Sequence, residues 1–198
     1  MRCLKFINCL IILFITINSL HAQSGMTGLF NPVDSVGLYQ MNIDVETFHF
    51  SGLLLVKRLN DSTIRLVMNS EMGPKLLDME LYPSRYKLHY AFPKVNHKRF
   101  LKTLYDDFGT LFQVRIRNKN LSVEHSQNGY STTYSPGKKT QIIYTADSLS
   151  NLFTSGRVME GTSVSSKFLY VFEEGTSNIS FMKLEHLPFT MIISLTRL

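Results

Sequence analysis

The chain has 198 residues, with 21 Lys and Arg against 15 Asp and Glu, a net charge of +6, two Cys and no Trp. That length suits one domain with a sizeable core, and the mild basic excess suits attraction to anionic surfaces without the dense patch that nucleic acid demands. Both cysteines, Cys3 and Cys9, stand within the first ten residues, so disulfide frameworks, thiolate metal sites and a cysteine nucleophile are excluded from the rest.

The N-terminus reads as a cleavable secretory leader. Arg2 and Lys5 precede an apolar stretch from Leu10 to Ile17, and Leu20-His21-Ala22 ends in the small residue that signal peptidase requires. The stretch is shorter than the roughly 20 apolar residues that cross a bilayer. Cleavage after Ala22 is expected to remove residues 1–22 with both cysteines and to leave 23–198 as a single exported domain. No cysteine follows that site, so the mature N-terminus is not expected to be acylated as a lipid anchor. The leader carries basic but no acidic residues, and the mature chain stays net positive.

Residues 23–37 read as a loose lead-in. From Leu38 the pattern has period two. Phe48, Phe50, Leu54 and Val56 alternate with Thr47, His49, Ser51 and Lys57. Ile64, Leu66 and Met68 alternate with Arg65 and Asn69; Leu77, Met79 and Leu81 with Asp78 and Glu80; Tyr86, Leu88, Tyr90 and Phe92 with Lys87 and His89. One apolar and one polar face per segment marks antiparallel strands covered on one side. Turn chemistry separates them at Asn60-Asp61-Ser62, Gly73-Pro74 and Pro83-Ser84.

After Pro93 the period changes. Asn96 can cap a helix over about 97–112, with Phe100, Leu101, Leu104, Phe108 and Leu111 on one stripe and Lys98, Arg99 and Lys102 elsewhere. Strands resume at Val114 and Ile116, then at Leu121 and Val123. Asn128-Gly129 marks a hairpin turn, followed by 130–134 and 141–144. Residues 146–166 are small and polar, with a short helix around 148–154 as one reading. Phe168, Tyr170 and Phe172 open another strand, Glu173-Glu174-Gly175 turns it, and 179–184 and 190–198 complete the set. About ten strands in one sheet curl into a barrel or half-barrel or fold into a sandwich. A helix between two meanders is placed to cover the concave side.

Signals for catalysis are poor: there is no nucleophile elbow, no helical His-Glu-x-x-His and no phosphate-cradling glycine loop, and a hydrolase would need a serine and a histidine to converge, for example Ser51 with His49. The histidines at 49, 89, 97, 125 and 186 are scattered, and His49 and His89 lie on polar strand faces, so no metal or other cofactor is expected. Asp106-Asp107 read as an exposed helical pair. Lys57-Arg58, Arg115-Arg117-Lys119 and Lys138-Lys139 read as solvated strand ends, and no nucleic acid is expected. The apolar strand face, rich in Met and aromatics, is either an ordinary core or a binding surface; pattern leaves both open.

Between Phe48 and Phe92 the sequence resembles the LolA/LolB family of bacterial lipoprotein carriers, nearer the LolB-like branch. The residues that carry it are Phe50 to Arg58 (Phe-Ser-Gly-Leu-Leu-Leu-Val-Lys-Arg), Arg65 with Val67 to Asn69, Glu71 to Asp78 (Glu-Met-Gly-Pro-Lys-Leu-Leu-Asp), and the strand from Tyr86. The order of strands, helix and strands over 38–198 also looks like that family. The resemblance implies an unclosed antiparallel β-barrel whose concave side is covered by a helix. It further implies a periplasmic, non-enzymatic, monomeric carrier of lipid or lipoprotein acyl chains, exchanging cargo with envelope donors or acceptors. The groove would be lined by Phe48, Phe50, Leu54, Val56, Ile64, Leu66, Met68, Leu77, Met79, Leu81, Leu88, Tyr90 and Phe92. Phe100, Leu101, Leu104 and Phe108 would form the lid. Met72, in the turn where LolB-like members carry an apolar tip, would make transient membrane contact, or else fold back onto the rim. The missing anchor cysteine departs from that branch and suits an unanchored relative. The alternative is a non-enzymatic envelope scaffold with a filled β core.

Overall fold

The computed structural model describes residues 36–46, 48–60, 62–116, 121–126, 129–150 and 152–198. The expected leader, the lead-in up to residue 35, and parts of the expected turns at Asp61 and Asn128 lie outside them.

Alternating apolar residues produce twelve strands. They are β1 (Val36–Val45), β2 (Phe48–Asn60), β3 (Thr63–Ser70), β4 (Lys75–Leu81), β5 (Tyr86–Ala91), β6 (Ser122–Ser126), β7 (Gly129–Tyr134), β8 (Thr140–Asp147), β9 (Phe153–Glu160), β10 (Ser163–Phe172), β11 (Ile179–His186) and β12 (Met191–Arg197). All pair antiparallel in one sheet of order β5-β4-β3-β2-β1-β12-β11-β10-β9-β8-β7-β6. The chain thus makes two meanders that join where β1 meets β12, with Ile43 opposite Ile193 and Met41 opposite Leu195. The outermost strands β5 and β6 are not paired with each other, so the sheet is an unclosed barrel. Helix α1 (Lys98–Leu111) follows the first meander, and its apolar stripe joins the inward residues of both meanders in one core.

The expected mostly antiparallel β fold with a helix inserted after the fifth strand is present, with twelve strands among the described residues against about ten expected. β1, where the period-two pattern begins at Leu38, turns Tyr39, Met41 and Ile43 inward. β9 is unexpected and takes the place of the end of the short helix read around 148–154. There Ser148 to Ser150 form a turn held by the Asp147 carboxylate, which accepts from the Leu149 and Ser150 amides, and the strand starts at Phe153. Gly156 weakens its sequence signal for a packing reason. A Cβ there would sit 2.2 Å from the Phe168 ring, which lies across the bare backbone.

Val114 and Ile116 are not in a strand. They belong to a turn that folds back under the end of α1, with the Val114 amide donating to the Gly109 carbonyl at 3.0 Å. Both are buried, so core contact explains their apolar character. Asn96 does not cap the helix: His97 occupies the N-cap position in extended conformation without a side-chain bond to the helix.

Candidate functional site

Alternation along β2, β3 and β4 points Leu54, Val56, Ile64, Leu66, Met68, Leu77, Met79 and Leu81 inward. All are buried in one contiguous core with Leu101, Leu104 and Phe108 of α1. Phe50 and Phe100 are half-buried against it, and the side chain of Phe48 lies outside the described residues. This part of the concave face is an aliphatic wall filled by its own side chains and the helix.

Leu88, Tyr90 and Phe92 stand apart. Leu88 pairs with Met79 but lies on an edge strand and is 36% exposed. A β-bulge opposite Asp78 and Met79 then shifts the register, so Tyr90 pairs with Asp78 and turns to the convex face. No residue of β4 or β5 signals that bulge on its own. Phe92 lies past the end of β5, half-buried, its amide bonded to the Leu76 carbonyl.

The other meander is built differently. Over β8 to β10 its inward face carries aromatic rings, with Tyr144 ringed by Phe153 at 5.4 Å and Phe168 at 5.2 Å, and Tyr170 beside Phe168 at 5.8 Å, while β11 and β12 turn Met182, Leu184, Ile193 and Leu195 inward. Two of these rings carry hydroxyls that reach the end of α1. Tyr144 donates to the Thr110 carbonyl and Tyr170 to the Leu111 carbonyl, each at 3.1 Å. The last carbonyls of a helix have no partner within it, and here the sheet supplies hydroxyls. Burial pushes both phenols well above their ordinary pKa, so both remain donors.

A third polar tie joins α1 to this meander. Asp107 is buried, and His186 at the end of β11 lies 3.0 Å from its carboxylate. Burial raises the Asp107 pKa, an effect the His186 hydrogen bond opposes. Asp106 and Asp107 are therefore not the exposed pair that adjacency suggested. Asp106 binds Lys102 at 2.5 Å and Arg115. Arg115 is not a solvated strand end either: its side chain is mostly buried, with the guanidinium over the Tyr105 ring at 4.5 Å. Toward the first meander α1 is held by apolar packing and by the Tyr105 hydroxyl, which donates to the Tyr82 carbonyl.

A cavity of about 750 Å³ opens between the polar side of α1 and the second meander. Asp106, Asp107 and Arg115 line it from the helix side, and Ile142, Val158 and His186 from the sheet. Its size falls in the range of ligand sites, about 300–1,000 Å³. Sequence reasoning missed it, because its residues are far apart in the chain and individually ordinary. The one available hint was a pair of carboxylates on a helix with only one of them able to face solvent.

Met72 tops the β3–β4 turn and is 93% exposed, standing clear of the rim. Gly73 beside it has φ +96°, which glycine adopts without strain. His49 and His89 lie on the polar convex face, paired with Asp44 and Glu80. Among the described residues no cluster of His, Cys, Asp and Glu is arranged to hold a metal, and no helix is long and apolar enough to cross a membrane.

No protein-family model matches the chain, and no curated protein matches it. Solved structures do. A LolA superfamily protein from Nitrosomonas europaea superposes with a TM-score of 0.58 at 8% identity, over 86% of each chain. An outer membrane lipoprotein-sorting protein domain from Vibrio parahaemolyticus gives 0.49 at 9% identity, over 86% of this chain and 84% of that one. A DUF1329 family protein from Desulfovibrio piger gives 0.43 at 11%, over 83% and 84%. The first of these shows that the fold is LolA-like.

Proposed function

We propose that the protein is an exported, periplasmic carrier that holds acyl chains of a lipid or lipoprotein between its sheet and α1, with no covalent chemistry. The observation that supports this best is how α1 is attached. Its C-terminal end is pinned to the second meander by hydroxyls and the Asp107–His186 pair, while toward the first meander it rests mainly on apolar packing. Acyl methylenes can replace that packing like for like, at about 0.8 kcal/mol each on leaving water. Breaking the polar ties would instead strand buried groups at about 1–3 kcal/mol apiece. The helix therefore lifts from the aliphatic wall and stays anchored at the other, and the polar-lined cavity receives the part of the cargo that is not hydrocarbon. Met72 is the membrane-contacting tip, and cargo passes between envelope donors and acceptors in the manner of the LolB-like branch, without a lipid anchor.

A second reading has its own support. Leu54, Leu66, Met79 and Leu81 have no measurable exposure, as a permanently filled scaffold core would. Native mass spectrometry of the protein exported in a Gram-negative host separates the two. A co-purifying lipid-sized mass is expected for the carrier; bare protein across several preparations would sink that reading and leave the scaffold.

A further inference from the structure

The convex face of a half-barrel should be polar, and over β3 to β5 its charges are matched: Asp78 binds Arg65 and Lys75, and Glu80 binds His89. Over β9 to β11 they are not. Arg157 and Lys167 are exposed and face each other across the β9–β10 ladder. Like charges directly opposite destabilise a sheet, and no ion pair among the described residues relieves this one. The carboxylate opposite Lys167 in the ladder, that of Glu185, bonds to Lys183 at 3.4 Å. Three cations thus share one anion around a shallow cavity of about 380 Å³ on this face.

The same surface is also apolar. Along β10, Phe168 and Tyr170 turn inward and are buried, so Lys167, Leu169 and Val171 all turn outward. Leu169 is 38% and Val171 46% exposed, on positions that alternation would fill with polar residues. Unneutralised cations beside exposed aliphatic side chains suit an interface that is anionic at its surface and hydrocarbon just below.

We propose that the convex face of β9–β11 docks on an anionic lipid surface, with Arg157, Lys167 and Lys183 against headgroup phosphates and Leu169 and Val171 at the acyl boundary. Juxtaposed basic residues gain affinity from anionic lipid, and the gain is screened by salt. This contact is separate from the Met72 tip and does not depend on what the concave side holds.

The test is co-sedimentation of the intact protein with vesicles of phosphatidylcholine, alone or with one third phosphatidylglycerol. Binding should require phosphatidylglycerol, weaken in high salt, and fall at least tenfold in the double variant Arg157→Gln, Lys167→Gln. Leu169→Ser with Val171→Ser should lower it several-fold. Melting no lower than that of the parent protein identifies the loss as one of surface, and unchanged lipid retention in native mass spectrometry keeps it apart from the carrier reading. Equal binding to both vesicle types, or binding that survives the double charge substitution and is lost only in Met72→Glu, would overturn the proposal.

Discussion

The two meanders form one continuous wall around the same helix, yet they hold it by different means. The first presents mainly Leu, Ile, Val and Met and grips α1 chiefly by shape and exclusion of water, with one hydroxyl bond from Tyr105 to the Tyr82 carbonyl. The second sets Tyr and Phe of β8 to β10 beside the aliphatic β11 and β12, and it adds directed bonds: two phenols to helix carbonyls and His186 to Asp107. Aliphatic contact is non-directional and tolerates exchange of one hydrocarbon for another; a buried hydrogen bond tolerates no such exchange. On the carrier reading, contact with the first meander is what cargo exchanges, and the bonds to the second are what the helix keeps.

Truncation tests the first half of that contrast most severely. Leu66→Ala should cost about 2–5 kcal/mol in urea unfolding, since Leu66 is fully buried and its neighbours cannot all collapse inward. A smaller loss is expected from Tyr170→Phe, about 1–3 kcal/mol, because it strips the buried Leu111 carbonyl of its hydroxyl donor, and a smaller one again from Tyr144→Phe, because the Thr110 carbonyl keeps the Gln113 amide. Hydrogen exchange sharpens the difference: the tyrosine variants should raise exchange in the last turn of α1 selectively, whereas Leu66→Ala should raise it throughout. If the phenol variants loosen the helix no more than an exposed substitution does, the second meander is not its anchor.

Acidity probes the same contrast with opposite signs. The Arg65 hydrogen bonds hold the Asp78 carboxyl below its ordinary pKa against the cost of burial, with Lys75 assisting. Its stabilisation is present above the ordinary carboxylate range and is lost as pH falls through the depressed value. Asp107 is held above its ordinary value by burial, so its contribution is full below that ordinary value and is lost as pH rises through the elevated one. Urea midpoints against pH should flatten on the acid side in Asp78→Asn and on the higher-pH side in Asp107→Asn. The smallest effect belongs to Met72→Glu, expected to change stability by no more than about 0.5 kcal/mol while reducing contact with lipid vesicles through the tip.

Much of the first meander was legible from sequence because its strands alternate strictly and end in recognisable turns. The aliphatic wall follows directly from that alternation, and the helix stripe from the change to a helical period after Pro93. Legibility failed where a local irregularity carries the information. The bulge that turns Tyr90 outward depends on cross-strand register, which no single strand encodes. β9 was obscured by Gly156, whose missing side chain makes room for Phe168 from the next strand. Asp107 and His186 are 79 positions apart, and neither is unusual until the sheet curls round to bring them together.

The unpaired edges at β5 and β6 have a mechanical consequence. In a closed barrel, strand number and stagger dictate the bore, and swelling means tearing a ladder. Here the circumference is interrupted, so the wall can uncoil by small changes in twist while every inter-strand hydrogen bond persists. If the protein is a carrier, capacity is then a matter of how far the seam gapes, and cargoes of unequal girth would share one fold.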